Sequence, residues 1–445
     1  MSQIQAIKSR IEEKFPSYGI NKKRELIRLF YEIAKRERRP FRKLFQEVPI
    51  DYKRYSELKN YLMKRRFPSI SAAERRKNII LPDLDLDPGC RVTIKKALPQ
   101  TYKNFYIEKS VSKSDLVKRI KGKFPKAKYQ EIATYKDFVS QKPYTLKDYN
   151  DRTDSIFIVK EKYDFYHPCP CSPSSKRCGY HNMKLGWGCP FDCIYCFLPA
   201  YINSPGIVIP ANIEDFFKAF EKYPQNIRLG TGQFTDSLVF DSLTEYSPLI
   251  IDFFRNHPSS TFEFKTKSNC VELLLQQKPA SNIVVGWSLN PERIIKESEY
   301  STASLRQRLD AAEKCVQKGF KVAFHFDPII FYSGWERDYN SVVNRVFDLI
   351  PAQAIAWISL GTLRMTLKQK KTIESRFPNN SLLNAELIPG YDEKLRYPFK
   401  IRKEMYKQMK KWIRNQSKTI PIYLCMESSI MNKTCRILPP FRSYQ

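Results

Sequence analysis

Three cysteines lie close together in the segment GCPFDCIYC. Cys189, Cys193 and Cys196 follow a C-x3-C-x2-C spacing. Short, fixed cysteine spacings hold iron–sulfur clusters, and a [4Fe–4S] cluster usually takes four thiolates. Three thiolates on one loop would bind three of the four irons and leave the fourth iron open to a substrate or cofactor. The spacing therefore predicts a [4Fe–4S] cluster with one open coordination position.

A structural zinc site is the alternative interpretation of this segment. Zinc sites are commonly built from C-x2–4-C pairs, and Cys193 with Cys196 is one such pair. The second pair would be either Cys169 with Cys171 or Cys178 with Cys189. Spacing alone leaves both interpretations open.

Cys169, Cys171 and Cys178 also form a group of their own. We expect a second metal or cluster there, with His167 or His181 as a further ligand, or else one reactive thiol. The chain has 11 cysteines, an odd and clustered set, and its N-terminus lacks the apolar segment of a signal peptide. These features favour metal ligation in a reducing cytoplasm.

Polar residues follow several of the predicted strands. In a parallel α/β fold, active residues gather at the carboxyl ends of strands. Asp236 in GTGQFTDS could hold an ammonium or ribose group, although a tight turn would also explain the segment, and Lys267 in FKTKS suits a carboxylate or phosphate. Ser288 and His325 end two further strands. Cys425 lies near the end of the last strand, either facing the site or buried in the core.

These residues need a scaffold that aligns the ends of its strands. From residue 183 onward, short apolar strands alternate with helical stretches. The predicted strands are Asn226–Thr231, Thr261–Thr266, Ile283–Leu289, Lys321–Phe326, Ala354–Leu360 and Ile420–Met426. The predicted helices are Asn212–Lys222, Pro248–Arg255, Ser304–Lys318, Trp335–Leu349 and Ile401–Asn415. This alternation predicts a parallel sheet with right-handed crossovers, in the form of a full or partial TIM-like (β/α) barrel.

The composition divides the chain into four segments. We expect a basic helical extension over residues 1–80, a linker over 81–100, a lead-in subdomain with the extra cysteines over 101–180, and the α/β barrel over 181–445. Apolar spacing predicts helices at Ser9–Lys14, Lys22–Arg38 and Tyr55–Lys64, and a strand at Ser155–Lys160. In the second helix, Leu26, Leu29, Phe30 and Ile33 would form one apolar stripe.

The net charge of +31 favours a polyanionic partner. Residues 1–80 alone contribute +13 of it, with 22 Lys and Arg against 9 Asp and Glu. Nucleic acid is the first candidate, because each neutralised phosphate releases condensed counterions. An anionic membrane surface and a merely solvated basic face are the alternatives. No apolar run is long enough to span a membrane, so no membrane insertion is expected.

In their order along the chain, several segments resemble the spore photoproduct lyase family of radical S-adenosylmethionine (SAM) enzymes. They are CPFDCIYC, GTGQFTDS, FKTKS, GWSLNP, FHFDPII, WISLG and YLCMES. The resemblance covers roughly residues 100–430 and leaves residues 1–80 outside it. It implies a partial TIM barrel with a [4Fe–4S] cluster and SAM, whose reductive cleavage yields a 5′-deoxyadenosyl radical. In that family, the radical takes hydrogen from C6 of a thymine photoproduct in DNA, which must leave the base stack.

The resemblance also implies roles for individual residues. Cys189, Cys193 and Cys196 match the cluster ligands. Thr235, Asp236, Lys267 and Ser288 fall where the SAM contacts of the family lie. Tyr195 matches a tyrosine of the family's radical relay.

Two residues depart from the family pattern. Phe234 stands where the hydrogen-donating cysteine is found, and Phe197 replaces the tyrosine that follows the third cluster cysteine. Phenylalanine can neither donate nor relay a hydrogen atom. We therefore expect a replacement donor, for which Cys425 is the candidate.

The sequence thus predicts a radical SAM lyase that repairs a thymine photoproduct in DNA and receives its electron from a reductant protein such as a flavodoxin or ferredoxin. One alternative is an enzyme of the same descent acting on RNA or protein. The other is a zinc-stabilised, non-catalytic nucleic-acid-binding protein.

Overall fold

A computed structural model describes residues 3–48, 54–77, 79–94, 102–201 and 204–437. The chain forms two compact units, one of residues 1–91 and 363–402 and the other of residues 92–362 and 403–445. The first unit thus joins the predicted N-terminal extension to a segment from within the predicted barrel region. The boundaries expected at residues 80, 100 and 180 stay predictions.

The first unit is built mainly of helices. They span Gln3–Lys14, Ile20–Glu37, Phe41–Glu47, Tyr55–Arg66, Ala72–Lys77 and Leu367–Arg376, with short 3-10 turns at Pro88–Cys90 and Leu382–Asn384. Strands Arg364–Met365, Leu395–Arg396 and Ile388–Pro389 form a small antiparallel sheet. The apolar stripe predicted for the second helix is confirmed, because Leu26, Leu29, Phe30 and Ile33 are fully buried in the core of this unit.

A buried ion network joins the two sequence segments of the first unit. Glu32 pairs with Arg28 at 3.0 Å, with Arg66 at 2.7 Å and with Lys370 at 2.6 Å. Arg28 also reaches Glu374 at 3.0 Å. Burial alone would raise the pKa of Glu32, but Lys370, Arg66 and Arg28 outweigh it and lower that pKa strongly. Residues 363–402 therefore complete a charged core whose other half comes from the N-terminal helices.

The second unit contains an eight-stranded sheet. Its strands, in chain order, are β1 (Tyr166–Pro168), β2 (Tyr180–Met183), β3 (Arg228–Gly230), β4 (Thr261–Thr266), β5 (Ile283–Ser288), β6 (Lys321–Ile329), β7 (Ile355–Thr362) and β8 (Ile422–Leu424). Each strand pairs with the next one along the chain. The β1–β2 pair is antiparallel, and all the others are parallel. Because β1 and β8 end the order as edge strands, the sheet is a half-barrel, the partial form of the predicted fold.

Helices and a second sheet complete this unit. The helices are Asp115–Lys123, Tyr135–Ser140, Leu146–Asn150, Leu198–Tyr201, Ile213–Phe220, Asp241–Thr244, Tyr246–Arg255, Glu272–Leu275, Glu292–Ser298, Leu305–Lys318, Trp335–Leu349 and Ser429–Cys435. Helix Phe399–Gln416 begins in the first unit and belongs to the second from residue 403 onward. The second sheet is parallel, with strands in the order Lys128–Ile132, Asn104–Glu108, Ser155–Val159 and Ile207–Pro210. None of the helices in the described ranges has the length and apolar character that crossing a bilayer requires.

Candidate active site

The three-cysteine loop leaves the carboxyl end of β2. Gly188, directly before the first cysteine, has a φ of 94°, a conformation that a side chain would disfavour. The fully buried Arg152 holds the backbone of the loop. Its Nε donates to the carbonyl oxygen of Cys189 at 2.9 Å, and its Nη2 donates to that of Phe191 at 2.7 Å. A buried cation thus holds the first part of the loop, from Cys189 to Asp192.

The far side of the loop pairs with a second chain segment. Cys193 and Glu299 are partners in a short antiparallel ribbon, and the Ile194 amide donates to the Ser298 carbonyl at 2.8 Å. The Tyr195 hydroxyl donates a hydrogen bond to the Glu299 carboxylate. Glu299 in turn forms a fully buried ion pair with Arg308 at 2.6 Å. The loop is therefore clamped on both sides.

The thiols of this loop lie in a dry environment. Burial raises the pKa of Cys189 and of Cys193, and Arg152 and Lys267 respectively oppose that rise. Cys189 and Cys196 pack with Phe197 and Phe234 in one apolar cluster. The two cations offset part of the cost of charging the sulfurs, and the apolar side chains limit the access of water, as suits thiolates that bind a cluster.

Cluster ligands and zinc ligands differ in how closely their side chains converge. The ligands of one zinc ion must all converge to about 2.0–2.3 Å from a single point. Over the described ranges, no three His, Cys, Asp or Glu side chains are grouped so as to hold one metal ion. Each cysteine of a four-iron cluster binds a different iron, so those thiols stand further apart. Cys189, Cys193 and Cys196 would each bind a separate iron of such a cluster.

Asp236 lies beside this loop and is held by its own backbone surroundings. Its Oδ1 accepts hydrogen bonds from the amides of Leu238 and Val239 at 3.1 and 3.0 Å and from Thr266 Oγ1 at 2.6 Å. Its Oδ2 accepts from the Lys267 amide at 2.7 Å. Burial raises the pKa of Asp236, against these hydrogen bonds. The carboxylate thus joins the loop after β3 to the end of β4.

Thr235 and Lys267 are the side chains near this junction that are suited to a ligand. Thr235 Oγ1 is buried, and no hydrogen-bond partner for it exists among the residues that the structure describes. The Lys267 ammonium lies 5.8 Å from the centre of the Tyr195 ring. Burial alone would lower the pKa of Lys267, but Cys193 and Glu299 outweigh it and raise that pKa. An unpaired hydroxyl and a firmly charged lysine fit the polar and carboxylate groups of SAM.

Ser288 ends β5 and connects to the same network. Its side chain is buried, and its carbonyl oxygen accepts a hydrogen bond from Arg308 Nη1 at 2.8 Å. Asn290, two residues further on, donates to Glu299 Oε1 at 2.8 Å. The structure therefore brings Lys267, Ser288 and Tyr195 around the Glu299–Arg308 ion pair. Sequence reasoning missed this pair, because neither residue belongs to a recognisable motif.

Aromatic side chains occupy the two positions that depart from the family pattern. Phe234 stacks on Trp187 with ring centres 4.4 Å apart, and its ring centre is 6.2 Å from that of Phe197. The Gly188 amide donates to the Phe234 carbonyl at 2.9 Å. The position expected to carry a donor thiol thus forms part of the apolar wall beside the cluster loop.

Cys425 has other cysteines as neighbours. It follows β8, and its amide donates to the Leu360 carbonyl at 2.8 Å. The 169–179 loop between β1 and β2 reaches the same region, because the Lys176 amide donates to the Glu427 carbonyl at 2.9 Å. Cys425 also contributes to raising the pKa of Cys169. The structure therefore groups Cys425 with the upstream cysteines.

A half-barrel with a three-cysteine loop at the carboxyl end of β2 defines the class of radical SAM enzymes. The family model for spore photoproduct lyase matches residues 170–421. The chain belongs to the spore photoproduct lyase family.

Individual relatives agree with this assignment. Spore photoproduct lyase of Clostridium acetobutylicum is 25% identical over 247 residues, which cover 54% of this chain and 69% of that protein. Its counterpart from a Geobacillus species is 28% identical over 217 residues, which cover 47% of this chain and 64% of that protein.

Solved structures show the same fold. A spore photoproduct lyase complexed with dinucleoside spore photoproduct superposes with a TM-score of 0.64 at 23% identity, over 74% of this chain and all of that one. A double-substitution variant with bound AdoMet and the same dinucleoside gives a TM-score of 0.63, also at 23% identity, over 75% of this chain and all of that one.

Proposed function

We propose that this protein repairs a thymine photoproduct in DNA by radical SAM chemistry. Membership of the spore photoproduct lyase family supports the reaction, as do relatives that carry that name. The observation that carries the proposal is the cysteine loop, with three thiols on one segment held by Arg152 and by the ribbon at Glu299.

The residues around the loop have separate tasks. Cys189, Cys193 and Cys196 would hold a [4Fe–4S] cluster. When bound, the cluster and SAM together supply a 5′-deoxyadenosyl radical that takes hydrogen from the lesion. Thr235, Lys267 and Ser288 would bind and orient SAM, while Asp236 fixes the turn that carries Thr235 and Lys267.

The last step of repair returns a hydrogen atom to the thymine radical. Phe234 and Phe197 have no transferable hydrogen, so the thiol of Cys425 is the proposed donor. Tyr195 is the proposed relay residue. Its hydroxyl already donates to the Glu299 carboxylate, which can accept the proton when the phenol loses an electron. Burial, followed by Glu299, raises the pKa of Tyr195 and keeps the phenol protonated.

The charge distribution supports DNA as the partner. Residues 1–91 and 363–402 contain 32 Lys and Arg against 16 Asp and Glu, a net charge of +16 out of +31. We propose that this unit binds phosphates of the duplex and that a flavodoxin or ferredoxin supplies the electron. One alternative is an enzyme of the same descent that acts on RNA or protein. Phe234 favours it, because it replaces the cysteine that donates hydrogen in photoproduct repair.

Anaerobic reconstitution with iron and sulfide tests the proposal. The wild-type protein should turn brown, cleave SAM under dithionite and restore two thymines in an oligonucleotide carrying the photoproduct, as measured by mass spectrometry. Cys193→Ala should lose the cluster and the products, and Cys425→Ala should keep SAM cleavage but lower the repair yield. SAM cleavage without repair would favour the RNA or protein substrate. Colourless protein with stoichiometric zinc would favour the non-catalytic alternative.

A further inference from the structure

The three cysteines of the second group, Cys169, Cys171 and Cys178, have different partners. Cys178 Sγ lies 3.3 Å from Nη2 of the buried Arg228. That guanidinium is also enclosed by the rings of Tyr180, Trp357 and Tyr423, with its carbon 4.8–5.1 Å from their centres. The Arg228 guanidinium is thus the hydrogen-bond donor to the sulfur of Cys178 and is itself stacked among three aromatic rings. Cys178 is therefore a partner of Arg228.

Cys169 and Cys171 have a different relationship. Their Sγ atoms are 3.6 Å apart, with the Cys171 thiol donating to the sulfur of Cys169. The Cys171 amide donates to the Cys169 carbonyl at 2.7 Å, which closes a tight turn around Pro170. The Cys169 amide is anchored to β2 through the Tyr180 carbonyl at 2.8 Å. Two partly exposed thiols are thus held side by side by their own backbone.

We propose that Cys169 and Cys171 form a redox-active dithiol that closes to a disulfide and keeps the Cys425 thiol reduced. An S–S bond is about 2.05 Å long, so the two sulfurs need to approach by only about 1.5 Å. The hydrogen bond from Cys171, together with burial, raises the pKa of Cys169, so the exchange is expected to be faster at alkaline pH.

The exchange balances with glutathione as its only co-reactant. When Cys425 carries glutathione as a mixed disulfide, the dithiol reduces it. One Cys425–glutathione S–S bond breaks, one Cys169–Cys171 S–S bond forms, and the two thiol hydrogens end on Cys425 and glutathione. A pair of glutathione thiols then reopens the loop disulfide and leaves as glutathione disulfide. The role of Cys425 rests on the proposed function, whereas the dithiol itself does not.

Thiol trapping of the reconstituted protein tests this inference. The protein is equilibrated anaerobically in glutathione buffers of stepped disulfide content, alkylated, digested with trypsin and measured by mass spectrometry. Residues 163–176 form one tryptic peptide that contains both cysteines and no other. We expect an unalkylated form of this peptide that is two hydrogens lighter than the dithiol. Its fraction should rise with the glutathione disulfide content along a two-electron titration curve. Cys169→Ala and Cys171→Ala should abolish that species, and Cys90→Ala, in the other unit, should retain it.

The same samples report on Cys425. In Cys169→Ala the Cys425–glutathione adduct should accumulate at least several-fold above wild type. Full alkylation of both loop thiols at every buffer composition would overturn the proposal. Stoichiometric zinc that is present in wild type and lost in Cys169→Ala would overturn it as well. The assay needs neither SAM nor DNA. If the disulfide forms in a protein that lacks lyase activity, the proposed function is refuted and the dithiol is not.

Discussion

The carboxylate of Glu263 and the imidazole of His325 meet inside the half-barrel, with Oε1 2.5 Å from Nε2. Their strands β4 and β6 lie on either side of β5, which carries Gly286 between them. A Cβ atom at Gly286 would stand 2.6 Å from Glu263 Oε1 and 3.1 Å from His325 Nε2. Ser359 on β7 completes the row, with Oγ 2.6 Å from His325 Nδ1. The missing side chain of Gly286 is what allows the acid and the histidine to pair.

Replacing Gly286 by alanine should therefore destabilise the protein. The added methyl group has to displace the carboxylate or the imidazole, and we expect the free energy of unfolding to fall by about 1–3 kcal/mol. Urea unfolding measures the change. Gly122→Ala is the matched control, because nothing lies within 4 Å of its added Cβ and it sits inside helix Asp115–Lys123. A loss of equal size in both variants would contradict the explanation.

The same pair predicts how stability depends on pH. Burial and Lys265 lower the pKa of His325 from its ordinary 6.5, so the folded imidazole is neutral and donates to Glu263. Burial alone would raise the pKa of Glu263, but the hydrogen bond from His325 and the charge of Arg228 lower it. As the pH falls below 6.5, the unfolded chain takes up the histidine proton first, and the free energy of unfolding should decrease. Below pH 4.5, Glu263 adds a second loss.

Urea unfolding at stepped pH values tests this sign. His325→Gln keeps a donor toward Glu263 but does not titrate, so its stability should vary less between neutral pH and pH 4.5 than that of wild type. An identical pH dependence in the two proteins would show that His325 contributes nothing to it.

The main strands were predictable because their apolar runs are strong. Thr261–Thr266 matches β4 at both ends, and the other five predicted strands overlap β3 and β5 to β8 within a few residues. β1 and β2 were missed because they are short and polar, with the sequences YHP and YHNM. Periodicity carries no signal over three or four such residues.

Long-range pairing limited what could be predicted of the site. The cysteine spacing indicated a cluster because its ligands are local in sequence. Arg152, Glu299 and Arg308 reach the loop from distant segments, and no local pattern marks them. His325 was flagged as a strand-end residue, but its partner is Glu263 on another strand. The first unit likewise depends on ion pairs between residues more than 300 positions apart, such as Arg28 with Glu374.

Tyr195→Phe should separate a catalytic from a structural role of the phenol. The variant keeps the ring, and Glu299 retains Asn290 and Arg308 as partners. We expect a stability loss of about 1.5–3 kcal/mol and normal iron content, since the variant loses the hydrogen bond to the Glu299 carboxylate and the long one from Asn290 at 3.5 Å. If Tyr195 relays hydrogen, repaired product per SAM consumed should fall about tenfold, a loss of about 1.4 kcal/mol in the partition between productive and unproductive outcomes. Unchanged product per SAM would exclude the relay.

Glu32→Ala should unfold the first unit far more readily than a surface substitution. It would leave Arg28, Arg66 and Lys370 buried without their shared carboxylate, and breaking such a pair costs about 3–5 kcal/mol. Limited proteolysis of residues 1–91 and 363–402 should accelerate together. Glu13→Ala, which removes an exposed pair with Arg10, is the control. Cleavage confined to the N-terminal segment would contradict the shared core.

The first unit can be tested for DNA binding without deleting residues 1–91, a deletion that would expose the buried charges of residues 363–402. Arg42 and Lys43 are exposed on helix Phe41–Glu47, and changing both to glutamine should weaken duplex binding. Each phosphate interaction that is lost should reduce the slope of log K against log salt by about 0.9, so the double variant should lose up to about 1.8. Fluorescence anisotropy at several salt concentrations measures it, with Gln46→Ala on the same helix as the control. An unchanged slope in the double variant would mean that the duplex does not bind this helix.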